Sequence, residues 1–182
     1  MLSLNAASIF CANSRLSITK PISVLSLADR GSELIEPMES APLPDGKIYE
    51  SNLTMLAALL RDINIEVVSR QVVADNLEST VSKLEAAFQN DFVITTGGVS
   101  VGEFDYVKDA FVKLGGRIDL WRIAVRPGKP FVYGTLGQKH LFGLPGNPVS
   151  ALVTFLLLVR PALLKAMGAR NLELPRVDGA LT

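Results

Sequence analysis

The chain has 182 residues, and its 18 lysine and arginine residues balance 18 aspartate and glutamate residues. A neutral chain with a pI near 6.6 has no long-range field to attract a nucleic acid or an anionic membrane, so we expect neither as a partner. The single cysteine excludes an internal disulfide and a cysteine-based zinc site. A reducing, cytoplasmic location is the simplest interpretation.

The first half of the chain alternates apolar runs of strand type with segments of helical spacing. Three prolines and two glycines interrupt the segment between the first two regular elements, which predicts an irregular loop there. The predicted elements are strands at 22–27 and 63–68, a loop at 28–47, and helices at 49–61 and 77–88, the second capped by Asp75 or Asn76.

The second half continues the alternation and ends in the longest apolar stretch, residues 149–159. This stretch is shorter than the roughly 20 residues that span a bilayer, so we expect a buried helix. The predicted elements are strands at 92–95, 118–125, 131–133 and 141–142, and helices at 106–114 and 147–167.

Strands that alternate with helices predict an α/β fold, a three-layer αβα arrangement with a mostly parallel sheet, over residues 21–168. Such sheets bind ligands beyond the carboxyl ends of their strands. Two loops of small residues follow predicted strands, at residues 95–102 and 143–148. Glycine lets backbone N–H groups approach a ligand closely, so the pair is typical of an anion cradle. Tight turns with no ligand are the alternative for each loop alone.

Charged residues near these loops suit a reaction on a phosphate ester. Carboxylates at Glu33, Asp75 and Asp105 can meet at one edge of a parallel sheet and bind magnesium, although each can also be a helix cap or a solvated charge. Two cations lie on a rigid frame at residues 126–130, where an ordinary solvated loop is the alternative. His140 has no second histidine or nearby cysteine, which favours a structural role.

Three motifs, taken together, resemble the molybdopterin molybdenumtransferases of molybdenum-cofactor synthesis. They are TGGVSVGEFDYVK at 96–108, RPGKP at 126–130 and GLPGNPVSA at 143–151. Residues 31–34, 48–52 and 72–75 are similar to earlier motifs of the same family, so the likeness covers about residues 20–170. The resemblance implies an enzyme that takes adenylylated molybdopterin and molybdate, releases AMP with a divalent cation, and yields molybdenum cofactor.

The resemblance also implies roles for single residues. Glu33, Asp75 and Asp105 match the acids beside the metal, Mg²⁺, and beside molybdate. The positions around the pterin phosphate and molybdate are Gly97, Gly98, Ser100, Lys129, Pro145 and Pro148. Asn147 joins this group because it lies at the start of the last helix, where it can cap the helix beside the anion. A homodimer and a molybdopterin adenylyltransferase partner are further expectations from the family.

The chain departs from the family at Arg30, where a small hydroxyl residue is usual, and at Glu50, where aspartate is usual. Family members are about twice as long, so residues 1–20 are an atypical lead-in and residues 169–182 are expected to begin a β-rich C-terminal domain. Two other functions therefore stay open. One is a molybdopterin-binding module without catalysis, and the other is the related adenylyltransferase.

Overall fold

The computed structural model describes residues 22–27, 34–35, 45, 48–74, 76–98, 106–121, 123 and 130–174. In this part of the chain, six strands form one sheet in the order β4-β1-β5-β8-β7-β6, and β2 and β3 pair separately. The strands are β1 (Ile22–Leu27), β2 (Leu34–Ile35), β3 (Ile48–Tyr49), β4 (Val67–Val73), β5 (Phe92–Thr96), β6 (Arg117–Trp121), β7 (Val132–Leu136) and β8 (Lys139–Leu144).

The main sheet is parallel across β4, β1, β5 and β8. Strand β7 runs antiparallel to both β8 and β6, so the sheet is mixed at one side. The helices are α1 (Asn52–Asp62), α2 (Leu77–Ala87), α3 (Tyr106–Lys113), α4 (Pro148–Thr154) and α5 (Arg160–Ala166), with a π-helical segment, Phe155–Val159, between the last two.

Helices cover both faces of the sheet because its central strands are apolar on both sides. Alternate residues such as Ile22 and Val24 pack with Leu56 of α1 and Phe155 of the last helix in one core. Leu25 of the same strand faces the other side of the sheet and packs in a second core that α2 and α3 complete. The three-layer αβα architecture with a mostly parallel sheet is therefore confirmed.

Several predicted boundaries were wrong for local reasons. The strand predicted at 63–68 begins only at Val67, because Ile63 and Ile65 bury their side chains in the turn that ends α1, where both N–H groups bond to Leu60. Asn64 between them has a φ of 59°, which no strand allows. The predicted irregular loop contains β2, and α1 starts three residues later than predicted because Tyr49 pairs with Ile35.

The last helix runs without interruption from Pro148 to Ala166. Among the described residues, this is the one helix that is long enough and apolar enough to cross a membrane, judged by length and composition alone. Half of its most apolar window is buried inside the domain. Its buried side, which includes Ala151, Phe155 and Leu163, belongs to the first core. The Arg160 N–H bonds to the Phe155 carbonyl, one residue further back than in an α-helix, immediately before Pro161.

Candidate functional site

The carboxyl ends of β1, β4, β5 and β8 meet at one edge of the sheet, because these four strands are parallel. Gly97 and Gly98 follow β5, and Pro145, Gly146 and Asn147 follow β8 at the same edge. Strand β7 begins there as well, since it is antiparallel and its first residue, Val132, pairs with Gly143. We refer to this rim as the carboxyl edge.

Gly97 is the point at which three of these strands converge. Its N–H donates to the Leu144 carbonyl at 3.1 Å, which ties the end of β5 to the end of β8. Its φ is +78°, and a Cβ at this position would lie 2.5 Å from the backbone oxygen of Leu27, the last residue of β1. Only glycine combines this backbone conformation with this close approach.

The two glycine loops lie close together. A Cβ on Gly146 would lie 3.4 Å from the Cα of Gly97, an ordinary van der Waals distance. Gly98 also has a positive φ, +63°, and a Cβ there would lie 2.9 Å from side-chain atoms of Leu27 and Val107. The loops that the sequence predicts as one anion cradle therefore lie side by side in the structure.

Asn52, the first residue of α1, links the loops through its side chain. Its Nδ2 donates to the Thr96 hydroxyl at 2.7 Å and to the Gly146 carbonyl at 2.8 Å. The residue is only 5% exposed, and its Oδ1 is buried without a hydrogen-bond partner among the described residues. Asn52 is not among the site residues predicted from the sequence, although it ends the motif at 48–52. A polar residue at the first position of an amphipathic helix was the available signal.

Glu50, the residue that departs from the family pattern, is 2% exposed and lies just before α1. Its Oε2 accepts a hydrogen bond from the Leu53 N–H at 2.7 Å and so satisfies a donor in the first turn of that helix. Its Oε1 is buried with no hydrogen-bond partner in the described part of the chain. One oxygen of this carboxylate is thus committed to the helix that carries Asn52.

The second loop leads directly into the last helix. The Asn147 side chain accepts from the Ser150 N–H at 3.1 Å and caps α4, and Pro148 occupies the first turn, where its missing N–H costs nothing. Pro145 is buried, whereas Gly146, Asn147 and Pro148 are exposed at the carboxyl edge. The structure thus brings Pro145, Asn147 and Pro148 beside Gly97 and Gly98.

Five of the predicted site residues lie outside the described residues: Glu33, Asp75, Ser100, Asp105 and Lys129. Their neighbours along the chain can be located for some of them. Ala74 follows the carboxyl end of β4, and Pro130 lies two residues before the start of β7 at the same edge. Within the described ranges, no group of three or more histidine, cysteine, aspartate or glutamate residues could hold a metal ion.

Lys108 adds a positive charge near this edge. It lies in the first turn of α3, and its Nζ is 3.7 Å from the centroid of the Trp121 ring. Trp121 ends β6 opposite Val132, at the carboxyl edge, and is 39% exposed. A cation over an indole ring is a favourable arrangement, which fixes both side chains.

His140 lies in the interior of the sheet and not at the carboxyl edge. Its ring stacks on Phe92 at 5.1 Å between centroids, and its Nδ1 is 3.0 Å from the Tyr133 hydroxyl. Burial lowers the pKa of His140 from 6.5, against the opposing charges of Asp91 and Asp119. Burial, and then the charge of Asp119, raises the pKa of Tyr133 to about 12, while Arg117 acts to lower it. Both groups are therefore neutral near pH 7.

The comparisons with known proteins agree with this fold. Residues 24–165 match the family model described as a probable molybdopterin binding domain. A molybdopterin molybdenumtransferase from Haemophilus influenzae is 43% identical over 146 residues, which are 80% of this chain and 35% of that protein. The molybdenum cofactor synthesis protein cinnamon from Drosophila melanogaster is 41% identical over 85% of this chain and 25% of its own length.

Solved structures show the same relationship. The molybdopterin biosynthesis MoeA protein from Pyrococcus horikosii superposes with a TM-score of 0.70 at 33% identity, over 84% of this chain and 37% of that one. A structure of MogA shares the fold with a TM-score of 0.55 at 20% identity and is covered almost entirely, at 99%. The chain spans about a third of the length of the curated molybdenumtransferases it matches. With its matching family model and its paired glycine loops, the chain belongs to the molybdopterin-binding domain family.

Proposed function

We propose that the chain inserts molybdate into adenylylated molybdopterin, with release of AMP, and so yields molybdenum cofactor. The observation that carries this proposal is the close approach of the two loops at the carboxyl edge, where a Cβ on Gly146 would lie 3.4 Å from the Cα of Gly97. Relatives about 40% identical to the chain bear the name molybdopterin molybdenumtransferase, which supports this step of cofactor synthesis.

In this proposal the two loops and the adjoining cationic segment hold the charged parts of the substrates. Gly97, Gly98 and Ser100 lie around the pterin phosphate and molybdate, together with Pro145, Asn147 and Pro148. Lys129 supplies a positive charge, because a phosphate ester with two negative charges must be neutralised before an oxyanion such as molybdate can approach it. Asn147 contributes by capping the helix that begins at the loop.

The reaction also requires acids, for which we propose Glu33, Asp75 and Asp105. Carboxylates suit Mg²⁺, which would polarise the bond to AMP and offset the negative charge on the phosphates. Asp75 follows Ala74 at the carboxyl end of β4, and Asp105 immediately precedes α3. These chain positions suit acids that serve the same edge of the sheet.

A second candidate is a molybdopterin-binding module without turnover. It is favoured by the family model that matches residues 24–165, because that model is described by binding of molybdopterin and not by a reaction. A module of this kind would bind molybdopterin at the same loops and would not release AMP. We further propose a cytoplasmic homodimer that receives its substrate from a molybdopterin adenylyltransferase, since an adenylylated intermediate is better transferred than released.

The test is an assay of AMP release from adenylylated molybdopterin in the presence of molybdate and magnesium, paired with a binding titration. The proposal expects AMP release that depends on molybdate and magnesium, whereas tight binding without release would identify the binding module. We expect Asp105→Asn to abolish AMP release and leave pterin binding largely intact. Asp109→Asn, an exposed carboxylate in the first turn of α3, is the matched control and should retain full turnover. Unchanged turnover in Asp105→Asn would remove Asp105 from the reaction.

A further inference from the structure

Asn52 is the side chain that joins the two glycine loops, and the sequence motifs of the proposed reaction do not assign it a role. It belongs to α1, whereas its partners belong to the ends of β5 and β8. A single Nδ2 atom uses both of its hydrogens, one on the Thr96 hydroxyl and one on the Gly146 carbonyl. The Gly146 carbonyl is an acceptor only, so it fixes which end of the amide faces the loops.

The arrangement leaves a cost that a residue chosen for stability alone would avoid. With Nδ2 turned towards the loops, Oδ1 is buried and lacks a partner in the described residues. A buried acceptor without a hydrogen bond destabilises the fold. The orientation of the Asn52 side chain therefore satisfies its two donors and leaves its acceptor unsatisfied. This is typical of a residue retained for a functional site and not for stability.

The elements around Asn52 also restrict its movement. Its helix is tied down by Glu50, whose carboxylate accepts from the Leu53 N–H, and by Leu53 and Leu56, which are buried in the first core. The loops on the other side approach each other closely at Gly97 and Gly146. A fixed donor between two fixed loops sets the distance between them.

We propose that Asn52 is a positioning residue that holds the two glycine loops at the spacing their ligand requires. This inference rests on the proposed function for the identity of the ligand, molybdopterin. Asn52 acts through the Gly146 carbonyl and the Thr96 hydroxyl, so its contribution is preorganisation of the loops before the ligand arrives. Loss of the side chain frees the loops to separate, and part of the binding free energy is then spent on bringing them together.

The chain contains a close control for this residue. Asn90 also donates from Nδ2 to a strand hydroxyl, that of Ser23 at 2.8 Å, and to a backbone carbonyl, that of Ala87 at 3.4 Å. These bonds lie at the opposite end of β1, away from the glycine loops. Asn90→Ala therefore removes the same type of interaction without touching the carboxyl edge.

The experiment compares Asn52→Ala, Asn52→Leu and Asn90→Ala with the unsubstituted chain in two measurements. The first, amide hydrogen exchange at Gly97, needs no ligand, and the second is the Kd for molybdopterin. We expect Gly97 exchange to be about tenfold faster and the Kd about tenfold higher in the Asn52 variants, the effect of losing one to two hydrogen bonds, with Asn90→Ala close to the unsubstituted chain. Asn52→Leu fills a similar space, loses the donors and adds no charge, so it serves if Asn52→Ala fails to fold.

Equal Gly97 exchange in the Asn52 and Asn90 variants would overturn the positioning role, as would faster exchange with an unchanged Kd. Absence of molybdopterin binding by the unsubstituted chain counts against the proposed function instead. In that case the exchange comparison still decides whether Asn52 holds the loops together.

Discussion

Substitution of Gly97 by alanine tests the geometry on which the candidate site depends. A left-handed backbone conformation costs a non-glycine residue about 1–2 kcal/mol, and the φ of Gly97 is +78°. The new methyl group would also lie 2.5 Å from the Leu27 carbonyl oxygen, so β1 or β5 must shift. Overpacking of this kind costs about 1–3 kcal/mol. We therefore expect Gly97→Ala to lower the free energy of unfolding by about 2–5 kcal/mol.

Urea denaturation followed by circular dichroism measures this change. For a slope of about 2 kcal/mol per molar urea, the midpoint should fall by about 1–2.5 M. Gly115→Ala separates the two causes, because Gly115 has a similar φ, +86°, and nothing within 4 Å of its Cβ position. That variant should lose only the conformational part, about 0.5–1 M. Equal midpoints for the two variants would refute the close approach of β5 to Leu27.

Two other predictions concern the neutral His140–Tyr133 pair and the cap of the last helix. The free energy of unfolding should fall as pH falls below 6.5, because the unfolded chain then binds a proton on His140 that the native chain does not. It should fall again as pH rises from 10.0 to about 12, because only the unfolded chain loses the Tyr133 proton in that range. Urea midpoints measured against pH should show both decreases in stability, and His140→Gln should reduce the decrease at acidic pH. An acidic decrease that is unchanged in His140→Gln would contradict the role of His140. Asn147→Ala should lower stability by about 1 kcal/mol through loss of the helix cap, whereas Ser51→Ala should have little effect because the Ser51 side chain makes no cap bond. Thermal melting of the two variants side by side checks this, and equal melting temperatures would argue against the cap.

The parts of the fold that were predicted well are those in which local pattern and tertiary environment agree. Strand β1 has its predicted bounds because its apolar run lies between two helical layers, and α2 starts where Asn76 caps it through the Ser79 N–H. The strand predicted at Ile63 and Ile65 was wrong, since burial in a turn requires apolar residues just as a strand does. Tyr49 likewise fits a helical stripe but pairs with Ile35, a contact at long range that periodicity does not contain.

The candidate site was predictable where backbone conformation determines its shape. Glycine-containing loops after two strands indicated that Gly97 and Gly146 would share an edge, and their close approach follows from the parallel register of β5 and β8. Asn52 was missed because its importance comes from two partners that lie 44 and 94 residues away in the chain. A side chain of this kind is identified by a three-dimensional contact and leaves little local trace in the sequence.

The reversed direction of β7 has a topological effect on the molecule. If β7 were parallel to β8, its first residue would lie at the opposite ends of the parallel strands, away from the glycines. Its antiparallel pairing instead places Val132, at the start of β7, between Trp121 of β6 and Gly143 of β8, while the short turn at Gly137 closes the β7–β8 hairpin at the other end. One strand inversion thus brings a chain entry to the carboxyl edge without altering the register of the four parallel strands.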